Sequence, residues 1–305
     1  MLAFERHGSG EPLVLIHGLT HRRQAWYPVL DELAEQREVV LVDLPGHGQS
    51  PPLEPEGRPV ADVLREQFKQ FLVEQQLDRP HVAGNSLGGL IALHAGAEGD
   101  ARSVTALSPA GFWRTPGQFA YTKQIFLQAC AMSARLGSRA ELLARYRAGR
   151  NVMYGMLCAH PARVSPDQAI GDIRAFMRAR PTMKLLLEAA EPFDREIPRD
   201  VPLTIAWAAR DLVLPPWQAE VARRLYPHGE HVMIRGVGHV PMTDNPRFVA
   251  KVLLRGSAHT ATVAPLATDP AAVATRDAAV HPELLDVDAA APAADSGFER
   301  AAASA

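Results

Sequence analysis

The sequence predicts an α/β fold: a mostly parallel central sheet with flanking helices and an inserted helical cap. Three observations carry this. From Leu13 to Leu107, short apolar runs of β type alternate with longer stretches whose apolar residues recur every three or four positions, the rhythm of strands joined by crossover helices. That rhythm stops near Phe112 and resumes at Leu203. Between His81 and Ala97 a strand, a glycine-flanked serine turn and an apolar helix follow one another.

The first strands fall at Leu13 to Ile16, Val39 to Val42, His81 to Ala83 and Val104 to Leu107. Their apolar residues are continuous rather than alternating, as strands covered on both faces require. Ala25 to Gln36, Val60 to Gln76 and Leu87 to Ala97 supply the helices between them; within the second, Leu64 to Gln75 carries Arg65, Glu66, Lys69 and Glu74 on an outer face. After the break, Leu203 to Ala208 is a strand, Trp217 to Leu225 a helix, His231 to Ile234 a strand and Pro246 to Leu254 a helix. The predicted organisation is a core of residues 1–111 and 199–255 interrupted by a helical insertion, 112–198. The insertion holds five of the eight methionines and both cysteines, with a concentration of aromatics. Pliable thioethers and aromatic rings suit either a pocket wall or the core of a small cap.

Composition bounds the rest. With 47% hydrophobic and 22% charged residues the chain has the material for a globular core, which excludes disorder throughout. The last 49 residues carry 18 alanines, 4 prolines, 7 acids and 2 arginines; this composition buries too little to offset its ordering entropy, so residues 256–305 are predicted to be a disordered acidic tail, with Pro282 to Val287 as a short docking element. Without that tail the balance is 30 basic against 27 acidic residues, which is no nucleic-acid footprint. Cys130 and Cys158 fit neither a disulfide framework nor a metal site, and a reducing compartment suits them. Charges at Glu5 and Arg6 precede any signal-like run, and no apolar stretch reaches membrane-spanning length. The expectation is a cytoplasmic protein acting on a small molecule, without cofactor or metal.

The segment Gly84-Asn85-Ser86-Leu87-Gly88 carries the chemistry. A turn this tight needs small residues on both sides of the serine and presents its hydroxyl at a helix start, where backbone N–H groups are free. No GxGxxG or Walker lysine supports a phosphate-binding alternative. A serine hydroxyl is a poor nucleophile at neutral pH and needs a base, itself oriented by a carboxylate. His239, in Gly236-Val237-Gly238-His239-Val240-Pro241, follows the last strand and is the candidate base. The loop after Leu107 (Ser108-Pro109-Ala110-Gly111) has no carboxylate, whereas the loop after Ala208 offers Asp211. Ser86, Asp211 and His239 are therefore the predicted catalytic residues.

These motifs resemble those of the α/β-hydrolase superfamily in its capped, serine-dependent branch. The resemblance extends to Leu15-Ile16-His17-Gly18 and to Asp43-Leu44-Pro45-Gly46-His47-Gly48-Gln49-Ser50, and covers Leu2 to Leu254. It implies a strand at Leu2 to Arg6, bringing the sheet to about seven strands, and an oxyanion hole built from the N–H groups of Leu19 and Leu87. The chemistry it implies is acyl transfer to water on a small or medium apolar ester. Serine at position 86 argues against the dehalogenase and epoxide-hydrolase branches, which have aspartate there. Gly84-Asn85-Ser86 is similar to the elbow of carbon–carbon bond hydrolases, while Gly18-Leu19-Thr20 lacks their further glycine, so cleavage of a diketone-type substrate stays open beside ester hydrolysis. So does a catalytically silent, ligand-binding member.

Among the remaining residues, Trp113, which opens the insertion, and Phe112 beside it are predicted to line the substrate pocket, with Trp26 and Trp207 as further aromatics. His21, Arg22 and Arg23 read as a solvated basic loop, Asp43 and His47 as turn hydrogen-bonders, Met242 as packing, Cys130 and Cys158 as buried hydrophobes, and Asp194-Arg195-Glu196 as solvated charge.

Overall fold

The computed structural model describes residues 1–258. Seven strands form one sheet: β1 (Phe4–His7), β2 (Pro12–Ile16), β3 (Glu38–Val42), β4 (His81–Asn85), β5 (Ser103–Leu107), β6 (Leu203–Ala208) and β7 (Glu230–Ile234). Their order is β1-β3-β2-β4-β5-β6-β7; β1 pairs antiparallel with β3 and every other pair is parallel.

The helices are α1 (Tyr27–Ala34), α2 (Val60–Glu74), α3 (Leu87–Ala97), α4 (Pro116–Leu136), α5 (Arg139–Ala144), α6 (Arg147–Tyr154), α7 (Pro166–Glu188), α8 (Trp217–Leu225), α9 (Pro241–Asp244) and α10 (Pro246–Gly256). Four of them, α4 to α7, lie between β5 and β6. Residues 189–198 then return to the sheet without helix, and Phe193 N–H donates to Gly111 O at 2.8 Å.

Alternation along the strands sorts the core into two layers. Val14, Ile16, Val40, Val42 and Val82 face one way, against Leu64 and Phe68 of α2 and Ile91 of α3. Leu13, Leu15, Val39, Leu41 and Ala83 face the other, against Val29 and Leu33 of α1 and Val249 and Val252 of α10. Both faces of the central strands are thus dry, which is why their sequences read as unbroken apolar runs.

Several boundaries differ from expectation by one to three residues, β1 (expected at Leu2 to Arg6), β4 (expected to end at Ala83) and α2 (expected to end at Gln76) among them, and two more are informative. The first helix begins at Tyr27, behind a 3₁₀ turn at Arg23–Trp26, because Pro28 sits in its first turn, where the missing N–H costs nothing. The body also runs three residues past the expected start of the tail: Gly256 lies against Thr105, and the Ser257 hydroxyl accepts from Arg37 Nε at 3.1 Å. The remainder of that tail, with Pro282 to Val287, lies outside the described residues. Among the described residues, no helix is long and apolar enough to cross a membrane.

In the sheet order β2 lies between β3 and β4, so the chain progresses one way to β3 and the other way from β4 onward. Such a reversal leaves a crevice at the carboxyl ends of the two central strands. Leu19 follows β2 and Ser86 follows β4, which puts both at that crevice.

Candidate active site

Ser86 sits between β4 and α3 with φ 58° and ψ −115°, a left-handed conformation that strains a side-chain-bearing residue. The turn closes only because its neighbours lack side chains. A Cβ on Gly84 would lie 2.2 Å from Gly88 C, and one on Gly88 would lie 2.1 Å from Ile16 O. Ser86 N–H donates to Leu107 O at 3.0 Å, and Ser86 O accepts from Leu90 and Ala110 N–H, so the strained residue is held on both sides.

Asp211 and His239 meet across their two loops. His239 Nδ1 lies 2.7 Å from Asp211 Oδ2, with both residues buried. A carboxylate only accepts, so Nδ1 carries the hydrogen and Nε2 is left with the lone pair. Asp211 Oδ1 accepts from Val213 N–H at 2.9 Å and Leu214 N–H at 2.8 Å, which fixes the carboxylate plane.

The elbow is tied to the histidine loop through Asn85, whose Nδ2 donates to His239 O at 2.9 Å and to Leu107 O at 3.1 Å. Among the described residues no hydrogen bond joins the Ser86 hydroxyl to the imidazole.

The loop after β2 is aimed by a second histidine. His17 is fully buried; its Nε2 accepts from Leu44 N–H at 3.0 Å and its Nδ1 donates to Gly18 O at 2.8 Å. His21 N–H donates to the same carbonyl at 3.0 Å. In a planar trans peptide the N–H points opposite to the C=O, so fixing Gly18 O fixes the direction of Leu19 N–H. Burial holds the His17 pKa well below the ordinary imidazole value, which keeps the ring neutral and able to accept from Leu44. His47 Nε2 lies 2.8 Å from Leu19 O and its Nδ1 2.9 Å from Pro45 O, so this ring has the turn-bonding role expected of it. Leu87 is the first residue of α3, and its N–H has no partner within the helix.

A cavity of about 550 Å³ opens beside these groups, and Leu19, Ser86, Leu87 and Trp113 all line it. Asp211 and His239 are not among its lining residues. Phe112 is a correction: it is 1% exposed and packs edge-on against Phe193, Trp207 and Tyr226, while the neighbouring Trp113 lies tilted against Phe119 with ring centres 4.5 Å apart. Consecutive residues of an extended chain face opposite ways, so only one of this pair reaches the cavity. Trp26 and Trp207 are also core residues. A second cavity of about 340 Å³ is lined by Met132, Met153, Met156, Phe176 and His21, and Phe126 lines both cavities.

The basic loop after Leu19 is not solvated. Arg23 is buried and pairs with Asp43 and Glu5, while Arg22 Nε pairs with Asp172 Oδ1 at 3.0 Å. Buried carboxylates brought in from distant elements draw these side chains inward. Cys158 is buried, which pushes its thiol pKa well up, whereas Cys130 is half-buried. Among the described residues no group of three or more His, Cys, Asp or Glu is placed to hold a metal.

Asp244 is a residue that the sequence reading missed. Its buried carboxylate accepts from Gly238, Ala159 and His160 N–H at 2.7 to 2.8 Å, joining the His239 loop to the chain after α6. Val240 N–H to Leu157 O, at 2.8 Å, completes that seam.

A mostly parallel sheet carrying a strained serine at a strand-to-helix turn, with an Asp–His pair on later loops, defines the class of fold. The alpha/beta hydrolase family matches residues 13–252, and the chain belongs to it. Among curated relatives, the pimeloyl-[acyl-carrier protein] methyl ester esterase of Legionella pneumophila (strain Paris) is 38% identical over 98 residues; the match spans 32% of this chain and only 37% of that esterase. Lipase 3 of Moraxella sp. (strain TA144) is 25% identical over 249 residues, covering 77% of this chain and 74% of the lipase. Among solved structures, a putative lipase of Acinetobacter baumannii AYE superimposes with a TM-score of 0.66 at 21% identity, over 83% of this chain and 86% of that one, a likeness of fold.

Proposed function

We propose that the protein is a cofactor-independent serine hydrolase that cleaves a small or medium, largely apolar ester through an acyl-enzyme. The observation that carries this reading is the Asp211–His239 hydrogen bond, joined through the Asn85 amide to the turn that holds Ser86 at positive φ. The Ser86 oxygen attacks the carbonyl carbon while His239 Nε2 takes the hydroxyl proton. The N–H groups of Leu19 and Leu87 hold the resulting oxyanion, an interaction in which each donor is typically worth roughly 3 kcal/mol of barrier. Collapse expels the alcohol, which receives the proton from His239. Water, deprotonated by the same ring, then releases the acid and restores Ser86. Residues 112–198 act as a cap over a core of residues 1–111 and 199–255. The names of the Legionella esterase and the Moraxella lipase support ester cleavage.

A fluorophosphonate probe tests the assignment. An activated Ser86 labels stoichiometrically, and Ser86→Ala abolishes both labelling and nitrophenyl ester turnover while keeping the melting temperature. Turnover surviving in that variant would overturn it.

A further inference from the structure

The turn between α5 and α6 is exposed, apolar and basic at once. Ala140 and Ala144 bury one side of α5, while on its outward side Leu142 is 56% and Leu143 40% exposed; Tyr146, just before α6, is 62% exposed. The segment is firmly held. Arg150 is buried, and its Nη1 donates to Ala144 O at 2.9 Å and to Arg145 O at 3.0 Å, which clamps the turn from beneath. A Cβ on Gly149 would lie 2.0 Å from Leu143 O, so the two helices approach closely there. Three large apolar side chains thus stand in water on a fixed knuckle, an arrangement that a partner surface relieves.

The charge around these side chains has one sign. From Arg135 to Arg150 the chain carries five arginines against a single acid, Glu141. That acid is already engaged, accepting from Arg174 at 2.6 and 3.0 Å. Arg135, Arg139, Arg145 and Arg147 are exposed, and among the described residues none of the four has an ion-pair partner. Unpaired arginines beside leucine and tyrosine match the boundary between anionic headgroups and acyl chains. A second copy of the chain would bring the same arginines against them, so charge opposes self-association through this face.

The second cavity lies directly behind the knuckle. Ala140, on the inner side of α5, lines it, and so do Met132, Val152 and Met156, which are themselves exposed and therefore form its rim at the protein surface. Thr20 and His21, in the loop after Leu19, line it from the core side. An acidic protein would be held by the arginines alone and has no use for an apolar chamber behind them. A lipid, with an anionic head and an apolar chain, uses both.

We propose that the turn between α5 and α6 docks on an anionic lipid surface, with Leu142, Leu143 and Tyr146 among the acyl chains and Arg139, Arg145 and Arg147 at the headgroups. Docking of this kind is peripheral and needs no bond-breaking step. It stands apart from the role proposed for Ser86, and Ser86→Ala is expected to dock as the wild-type protein does.

Flotation of the full-length protein with vesicles tests the proposal. Vesicles of phosphatidylglycerol and phosphatidylcholine in equal parts are expected to bind at least about tenfold more tightly than phosphatidylcholine alone, with affinity falling as salt rises. Glutamine at Arg139, Arg145 and Arg147 together lowers that affinity about a hundredfold, near fivefold for each charge. Glutamine at Arg199, Arg223 and Arg247, exposed on the core, lowers it far less. Leu142→Ser with Leu143→Ser lowers it about tenfold, and all of these variants keep the wild-type melting temperature. Tyr146→Trp reports insertion: its emission shifts to the blue on anionic vesicles and is quenched by brominated acyl chains. Affinity unchanged in the folded Arg139, Arg145, Arg147 variant, or emission that anionic vesicles leave unmoved, overturns the proposal. Binding to anionic vesicles without that shift marks the face as a site for an acidic protein. Emission already shifted in the vesicle-free monomer marks it as covered by the chain's own acidic tail, and a dimer that dissociates in the leucine variant marks a second copy; each of these three results also overturns lipid docking.

Discussion

Asn85 and His239 are 154 positions apart in the chain, yet the Asn85 side-chain amide donates to the His239 carbonyl at 2.9 Å. The same nitrogen reaches Leu107 O, so one amide group joins β4, the end of β5 and the histidine loop. Asn85→Ala removes the amide donor from the buried His239 carbonyl and one of the two donors, beside Ser86 N–H, from Leu107 O, a loss of about 1 to 3 kcal/mol. The expected outcome is a melting temperature lower by several degrees and ester turnover reduced about tenfold, as the histidine loop loses its tie to the elbow. Calorimetric melting and steady-state kinetics on one nitrophenyl ester check both.

Asp211→Asn keeps an oxygen for the Val213 and Leu214 N–H groups but removes the acceptor that fixes the His239 tautomer. An amide nitrogen facing Nδ1 favours a ring protonated at Nε2, which no longer accepts the serine proton. The expected fall in kcat is about 10⁴ with little change in melting temperature. Pre-steady-state kinetics would show acylation as the slowed step.

His17→Phe keeps the ring volume and loses both hydrogen bonds, to Gly18 O and from Leu44 N–H. With Gly18 O less constrained, Leu19 N–H no longer points at one place. The expected loss is about 10² to 10³ in kcat and a much smaller change in KM. A variant with weakened substrate affinity and intact kcat would contradict this role.

Acid should destabilise the fold before it protonates the surface carboxylates. Burial holds His17, His21 and His47 below the ordinary imidazole value of 6.5, and burial with Arg65 and Arg195 brings His94 to about 4. These rings bind protons more readily unfolded than folded, so their contribution is complete above the unfolded value and is lost as pH falls below it. Each adds at most about 1.4 kcal/mol per pH unit to the slope. Melting temperature is expected to be level from pH 7 to 8.5 and to fall from pH 6.5 to 5, with a shallower fall in His94→Leu. Urea unfolding across that range measures the slope directly.

The strands and the elbow were legible because a parallel sheet covered on both faces demands unbroken apolar runs, and because the turn at Ser86 excludes every side chain from positions 84 and 88. Asp211 and His239 followed from their places after β6 and β7, since chain order in this fold decides which loops meet. Phe112 and Trp113 were not separable from sequence: the two aromatics are adjacent, and a single residue of register decides which faces the core. Arg23 was misplaced in solvent because its partner Asp43 lies on another loop, and nothing local to Arg23 announces a buried carboxylate. Asp244 escaped notice for the same reason, since its three N–H donors come from residues that only the folded chain assembles.

Phe126 forms part of the wall of both cavities, and its ring is almost wholly buried. One aromatic side chain therefore borders two chambers. Trimming it to alanine is expected to enlarge the space on both sides, at a cost of about 3 to 5 kcal/mol in stability. On the proposed hydrolase reading, turnover of bulkier esters by Phe126→Ala measures whether the two chambers have joined.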